Sequence, residues 1–387
     1  MPDTCCCHGH CCGLDATRLH LVFQRLNPFT CLYRLADGQG EGGGMGTITV
    51  PASIPSPEAD GHKLRKAFQG WGTDEKAIID ILGHRTAAQR SAIAAAYASL
   101  YGESLLDRLH SELSGDFRNA VMLWATDPAE RDAKLVNKAL KRKGERHLWV
   151  IIEVACASSP DHLIAVRQAY CSLFASSIEE DVAHKITPTE PLGQVMLLDI
   201  IIIGIGIGSS SSNLSFLQLL MRLLTSYRYP EDHVAVELAK HEAAQLFDAV
   251  QKKQLHHDEV IRVLSTRNKS QLKETFEQYN EGYGRRIEED IEGADRSQFA
   301  SMLKAAIWCI ASPEKHFAEV VRRSVVGLGT DEDSLTRAVV SRAEIDMKKV
   351  KEEYKKRYNT TLIYDVVDDT SGDYMRFLLT LIGPADP

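Results

Sequence analysis

Two short loops in the sequence carry groups that could bind a divalent cation. They read GWGTDE, beginning at Gly70, and GLGTDE, beginning at Gly327. Two glycines that flank a single residue let the backbone turn back and expose its carbonyl oxygens. Carbonyls joined by one bidentate carboxylate are typical ligands of Ca²⁺, which takes about six to eight oxygens. The loops therefore offer candidate calcium ligands.

An acidic residue follows each loop at the same separation along the chain. Glu112 is as far beyond Thr73 as Asp369 is beyond Thr330. Three loop carbonyls and two carboxylate oxygens leave coordination positions open to water or to a lipid phosphate. Because each site holds one carboxylate, we expect weak affinity for calcium alone and completion of the site by a bilayer phosphate.

The same loops also have features of a simple helix start. Thr73 and Thr330 are favourable N-cap residues, and the acids after them suit the positive end of a helix dipole. On these features alone, each loop could be a turn without a ligand.

Four internal repeats must position these residues. A shared apolar pattern ends at Arg85, Ser158, Arg267 and Arg342. The first and third intervals between these positions are nearly equal, whereas the middle interval is much longer. The long interval predicts an insertion, which we place at residues 188–217 around the text IIIIGIGIGSSSS. Repeats on one period predict an architecture in which each unit buries its apolar face against the others.

The two middle repeats serve as internal comparisons. At the loop positions they read KGER from Lys143 and KKQL from Lys252, and at the acid positions they carry Lys185 and Ala294. The glycines and the acid are thus lost together, which favours a ligand role over a turn role.

Helical periodicity dominates the chain from His62 to Gly383, without sustained alternation of period two, and this predicts an all-α fold. The Cys-, Gly- and Pro-rich text of residues 1–61 predicts a disordered extension or linker. We expect repeat 1 at 62–128, repeat 2 at 129–187 and 218–229, a disordered insertion at 188–217, repeat 3 at 230–312 and repeat 4 at 313–383.

The net charge and the distribution of cysteines bear on which partners and which cellular compartment suit this protein. A net charge of -8 argues against non-specific electrostatic binding to nucleic acid. A protein with this charge is also repelled by an acidic bilayer unless a cation bridges protein and lipid. Scattered cysteines and the lack of a recognisable secretory signal predict a reducing, cytoplasmic location. The apolar run at 195–208 contains Asp199 and is shorter than a membrane span requires.

On these motifs the chain resembles the annexins, specifically the plant-type annexins. The GxGT loop followed at a fixed distance by a carboxylate, in the first and fourth of four repeats, resembles their calcium-site pattern. The resemblance runs from about His62 to Gly383, apart from the insertion. It implies about five helices in each repeat, arranged as a curved disc whose convex face meets acidic phospholipid.

The resemblance also implies specific ligands. In the first repeat they are the carbonyls of Phe68, Gly70 and Gly72 with the carboxylate of Glu112. In the fourth repeat they are the carbonyls of Val325, Gly327 and Gly329 with the carboxylate of Asp369. Trp71 and Leu328, at the loop tips, would contact the bilayer interface, and the alternative is that both are ordinary surface residues.

The function implied by this resemblance is calcium-dependent binding to acidic phospholipid by a cytoplasmic protein that becomes peripheral at membranes when calcium rises. The resemblance implies Ca²⁺ as cofactor and actin as a further candidate partner. It also implies a role in stress response. A calcium-permeable conductance and nucleotide hydrolysis at the DTSG sequence from Asp369 are alternatives. A peroxidase-like activity would use His84, and a redox role would use Cys156 and Cys309. For these three residues we favour a helix-end histidine and two buried apolar thiols.

Overall fold

The computed structural model describes residues 45–70, 72–142, 145–186, 212–229, 233–327 and 329–384. The predictions for Trp71, Leu328, residues 1–44 and the apolar run at 195–208 lie outside these ranges. The described residues form twenty α-helices and no strand, so the predicted all-α class with five helices in each repeat is confirmed.

The helices follow the order of the four repeats. Repeat 1 holds α1 (Pro57–Ala67), α2 (Glu75–Leu82), α3 (Ala87–Tyr101), α4 (Leu105–Glu112) and α5 (Gly115–Ala125). Repeat 2 holds α6 (Pro128–Lys141), α7 (Trp149–Ala157), α8 (Pro160–Phe174), α9 (Ile178–Ile186) and α10 (Ser212–Thr225), with a 3-10 turn (Glu145–Leu148) before α7. Repeat 3 holds α11 (Val236–Gln251), α12 (Asp258–Thr266), α13 (Lys269–Tyr283), α14 (Ile287–Ala294) and α15 (Gln298–Ala311). Repeat 4 holds α16 (Pro313–Val325), α17 (Glu332–Arg342), α18 (Met347–Tyr358), α19 (Leu362–Asp369) and α20 (Gly372–Ile382).

The residues just before α1 pack against the fourth repeat, so the prediction of a disordered linker up to residue 61 is wrong for this part. The N–H of Thr47 donates to the Ala343 carbonyl at 2.8 Å, and the Thr47 side chain is buried. Helix α1 begins at Pro57 because Ser56 caps it and a proline fits the first helical position, where no N–H is needed. A proline that indicated a linker is therefore a helix start.

The predicted insertion overlaps a helix. Helix α10 begins at Ser212, so residues 212–217 are helical rather than disordered, while 187–211 lie outside the described residues. Its second half buries Leu219, Leu220 and Leu224 and packs against α7, α9 and α12. The apolar spacing from Leu214 to Leu224 is helical, but the serine-rich text before it obscured this periodicity.

Buried apolar side chains form two clusters. One is built from the first and fourth repeats, and the other from the second and third. A buried ion pair between Glu153 of α7 and Arg337 of α17 connects a helix of each cluster. The repeats therefore pair in space as one with four and two with three.

A buried tyrosine on the third helix of every repeat contacts the fourth helix or, in the first repeat, the segment just before it. Each hydroxyl hydrogen-bonds to a carboxylate, and burial raises the pKa of these phenols, so they remain donors. The pairs are Tyr97 with Glu103, Tyr170 with Asp181, Tyr279 with Asp290, and Tyr354 with Asp365.

Candidate calcium sites

The loop between α1 and α2 depends on its two glycines for backbone conformation. Gly70 has φ of 121° and Gly72 has φ of 89°, values that side chains of L-residues rarely adopt. In the fourth repeat, Gly327 and Gly329 have φ of 150° and 84°. A Cβ atom at any of the four would meet nothing within 4 Å, so the space beside each loop is open.

Aspartates, not threonines, cap the helices that follow the loops. Asp74 accepts from the N–H of Ala77 at 2.9 Å, and Asp331 accepts from the N–H of Ser334 at 3.1 Å. The N-cap prediction for Thr73 was therefore wrong, and so was that for Thr330. Aspartate is as good a cap as threonine, and the threonine hydroxyls are used elsewhere.

Each threonine hydroxyl connects its loop to the distant acid of the same repeat. Thr73 Oγ1 donates to Glu112 Oε2 at 3.1 Å, and Thr330 Oγ1 donates to the Asp369 backbone carbonyl at 3.0 Å. Both predicted acids thus lie beside their predicted loops. This positioning role was missed in the sequence, although the spacing common to both repeats starts at the threonine.

The fourth repeat offers an unused carboxylate oxygen. Asp369 Oδ2 is buried and has no hydrogen-bond partner among the described residues. A buried carboxylate oxygen without a partner is costly unless something satisfies it. Together with the open glycine loop, this donor set fits Ca²⁺, which prefers oxygen ligands.

The first repeat holds its carboxylate differently. Arg108 Nη2 lies 2.7 Å from Glu112 Oε1 and donates to the Phe68 carbonyl at 3.4 Å. The guanidinium thus contacts two groups that were predicted as calcium ligands. Nothing in the sequence motif indicated Arg108, because its role depends on how α4 packs against α1.

The third repeat lacks this arrangement. In its loop, Lys252 and Gln254 occupy the two glycine positions, Lys253 between them takes a left-handed conformation, and Leu255 is buried. Helix α14 ends at Ala294, and the neighbouring Asp295 accepts from the N–H and hydroxyl of Ser297, which lowers the pKa of Asp295. In the second repeat, residues 143–144 of the loop lie outside the described residues.

An open cleft of about 380 Å³ lies between the first and fourth repeats, next to the Asp369 site. Its walls carry the carboxylates of Glu75, Asp116, Glu332, Asp369 and Asp373. A cleft with one sign of charge concentrates counter-ions. We call it the acidic cleft.

The residues of the alternative activities have structural contacts. His84 Nδ1 lies 2.7 Å from the Thr49 carbonyl and so helps to hold the segment before α1. Cys156 and Cys309 are fully buried, and burial raises the pKa of the Cys156 thiol to about 11 and that of Cys309 well above its ordinary value. Both therefore stay protonated at neutral pH, as expected for apolar core thiols.

The described residues hold neither a side-chain metal cluster nor a membrane-spanning helix. They contain no group of three or more His, Cys, Asp or Glu side chains placed to hold a metal ion. None of the described helices combines the length and apolar character that crossing a membrane requires.

Comparison with known proteins gives consistent matches over most of the chain. The annexin family model matches residues 59–124, 131–187, 241–306 and 316–381. Annexin D3 of Arabidopsis thaliana is 48% identical over 344 residues, which cover 88% of this chain and 99% of that protein. The solved structure of annexin III is 31% identical with a TM-score of 0.75, and it covers 88% of this chain and 98% of its own. The calcium-bound structure of annexin (Sm)1 is 28% identical with a TM-score of 0.67, covering 88% and 94%.

Proposed function

Because the chain belongs to the annexin family, we propose that it binds acidic phospholipid membranes through calcium held by the loops of its first and fourth repeats. Family membership supports calcium-dependent phospholipid binding in general. The observation that carries the assignment to these loops is the hydrogen bond from Thr73 to Glu112 and its counterpart from Thr330 to Asp369. A turn that only starts a helix does not require contact with an acidic residue on a distant helix, yet both loops make such a contact.

In this proposal the backbone supplies most of the coordination. The first site uses the carbonyls of Phe68, Gly70 and Gly72 with the carboxylate of Glu112. The second site uses the carbonyls of Val325, Gly327 and Gly329 with the carboxylate of Asp369. Bound Ca²⁺ would supply the positive charge that attracts a lipid phosphate to an acidic protein.

The chain's own residues prepare the sites. The glycine φ values aim the loop backbone, and the threonine hydroxyls hold the acid-bearing segments against the loops. Trp71 and Leu328 remain proposed bilayer contacts, and both lie outside the described residues. Actin as a partner and a cytoplasmic location that changes to membranes when calcium rises also remain predictions.

Liposome co-sedimentation tests the proposal. Vesicles of phosphatidylserine and phosphatidylcholine are mixed with the full chain in calcium or in chelator. We expect the wild-type protein to pellet only in calcium, and the double variant Glu112→Ala/Asp369→Ala to stay in the supernatant because both sites lose their carboxylate. Vesicles of phosphatidylcholine alone should not pellet the protein.

A matched control separates the sites from bulk charge. Glu237 and Asp248 are highly exposed carboxylates on α11, and their replacement by alanine changes the net charge by the same amount. This control should pellet like wild type. If the Glu112→Ala/Asp369→Ala protein also pellets like wild type in calcium, the site assignment is wrong.

A further inference from the structure

Helix α4 of the first repeat carries an arginine at a position where its counterparts in the other repeats carry an aspartate. Counted from the buried tyrosine of the third helix, Arg108 is at the position that Asp181, Asp290 and Asp365 take in the other three repeats. Each of these aspartates accepts the hydrogen bond of its buried tyrosine. The first repeat thus replaces an acid with a base at a position that is otherwise constant within the chain.

The tyrosine of the first repeat is satisfied by other means. The Tyr97 hydroxyl donates to Glu103 at 3.0 Å, and Arg65 forms an ion pair with the same carboxylate. Arg108 is therefore not required for the contact that its counterparts make. Its guanidinium is available to the neighbouring loop.

The guanidinium of Arg108 lies at the first candidate site. Nη2 is 2.7 Å from Glu112 Oε1 and 3.4 Å from the Phe68 carbonyl. The Arg108 side chain is 30% exposed and that of Glu112 is 22% exposed, so water screens this pair only in part. Arg108 Nε is buried and finds no hydrogen-bond partner among the described residues, so the polar contacts of this guanidinium with the site are those of Nη2.

We propose that Arg108 is a built-in counter-cation of the first site, which Ca²⁺ must displace from Glu112 before it can bind. This inference rests on the proposed calcium site. Ca²⁺ and the guanidinium need the same carboxylate, and two cations held side by side repel each other. The fourth repeat has Asp365 at this position, and Asp369 Oδ2 has no partner among the described residues. The first site is therefore the weaker of the two, and the sites fill in order as calcium rises.

The expected effect follows from the strength of such pairs. A partly exposed ion pair contributes up to about 1 kcal/mol, which corresponds to roughly a fivefold change in affinity. Removal of the repulsion between the two cations adds to this. We expect Arg108→Ala to tighten calcium binding at the first site roughly three- to tenfold.

Calorimetric calcium titration of the full chain tests this in a background that isolates the first site. All proteins carry Asp369→Ala, and the variants add Arg108→Ala or Arg108→Asp, the latter being the residue type of the other three repeats. Lys76→Ala is the charge-matched control, because Lys76 is 78% exposed and pairs with Asp80. Both Arg108 variants should bind calcium more tightly than the background, and the Lys76 variant should match it.

A second readout follows the arginine itself. In protein labelled with ¹⁵N-arginine, the Nε signal that disappears in Arg108→Ala should shift as calcium is added to the Asp369→Ala background. Calcium binding that stays unchanged in both Arg108 variants overturns the inference while leaving the site intact. Adding Glu112→Ala to the Asp369→Ala background should abolish the remaining calcium binding. If it does not, or if the background binds no calcium at all, the first proposed site is wrong, and the counter-cation role is wrong with it.

Discussion

The buried pair between Glu153 of α7 and Arg337 of α17 gives the sharpest stability prediction. Glu153 is 5% exposed and Arg337 is 9% exposed. Burial lowers the pKa of Arg337 to about 10, so the guanidinium remains charged at neutral pH. His316 Nε2 lies 3.0 Å from Glu153 Oε1, which completes a polar contact between the two core clusters.

Removing one partner should be far more harmful than removing both. Glu153→Gln leaves Arg337 as an uncompensated buried charge, and we expect a loss of about 3–5 kcal/mol in the free energy of unfolding. Arg337→Met leaves the carboxylate in the same position, eased in part by His316, and we expect a somewhat smaller loss. In the double variant no charge is left unpaired, so its loss should be smaller than that of Glu153→Gln alone.

Urea unfolding in chelator, followed by circular dichroism, measures this double-mutant cycle. A more exposed contact between the same repeats provides the control, since Lys138 of α6 lies 3.1 Å from Asp333 of α17 and the two side chains are 52% and 41% exposed. Asp333→Asn should cost less than about 1 kcal/mol. The reasoning is refuted if each single variant lowers the free energy of unfolding by less than about 1 kcal/mol. It is also refuted if the losses of the two single variants simply add in the double variant.

Three further outcomes are expected. Ala175 has φ of 54° where two of the other repeats have glycine, so Ala175→Gly should raise the free energy of unfolding by about 0.5–1 kcal/mol, and a decrease in urea unfolding would speak against backbone strain there. Burial lowers the pKa of His316 from 6.5 to about 4, so on acidification the unfolded chain protonates this histidine before the folded protein does. The free energy of unfolding should therefore fall between pH 6.5 and pH 4, by at most about 3 kcal/mol. In the same series of unfolding measurements, His316→Phe should lack this part of the pH dependence. In chelator, Glu112→Gln should lower stability by about 0.5 kcal/mol because it breaks an ion pair, whereas Asp369→Asn should not, since Asp369 forms no ion pair among the described residues; thermal unfolding that ranks the two the other way contradicts the difference between the sites.

Local signals in the sequence account for most of the correct predictions. Helical periodicity sets the helices, because every apolar face has to be buried against another. The two loops were recognisable because a glycine pair with positive φ leaves a sequence signature, and because the spacing to Glu112 recurs at Asp369. A spacing that recurs in only two of four repeats is hard to explain by helix packing alone.

What the sequence did not predict depends on tertiary geometry. The contact of Arg108 with the Phe68 carbonyl arises only once α1 and α4 pack together. The burial of Thr47 against the fourth repeat is of the same kind, since the segment has no helical period of its own. The N-caps were misassigned for a different reason: adjacent threonine and aspartate residues are both good caps, and only the distant acid decides which side chain turns back.

The charges around the two proposed sites differ, so we expect the two sites to differ in their affinity for calcium. In the first repeat the carboxylate is already neutralised by Arg108, so the loop offers calcium little net attraction until that ion pair opens. In the fourth repeat the carboxylate borders the acidic cleft, where the neighbouring acids raise the local concentration of cations. A protein of net charge -8 would therefore gain its first positive contact for an acidic bilayer at the fourth repeat. Attachment through the first repeat would follow at higher calcium, because Arg108 opposes calcium at the first site while the acidic cleft favours it at the fourth.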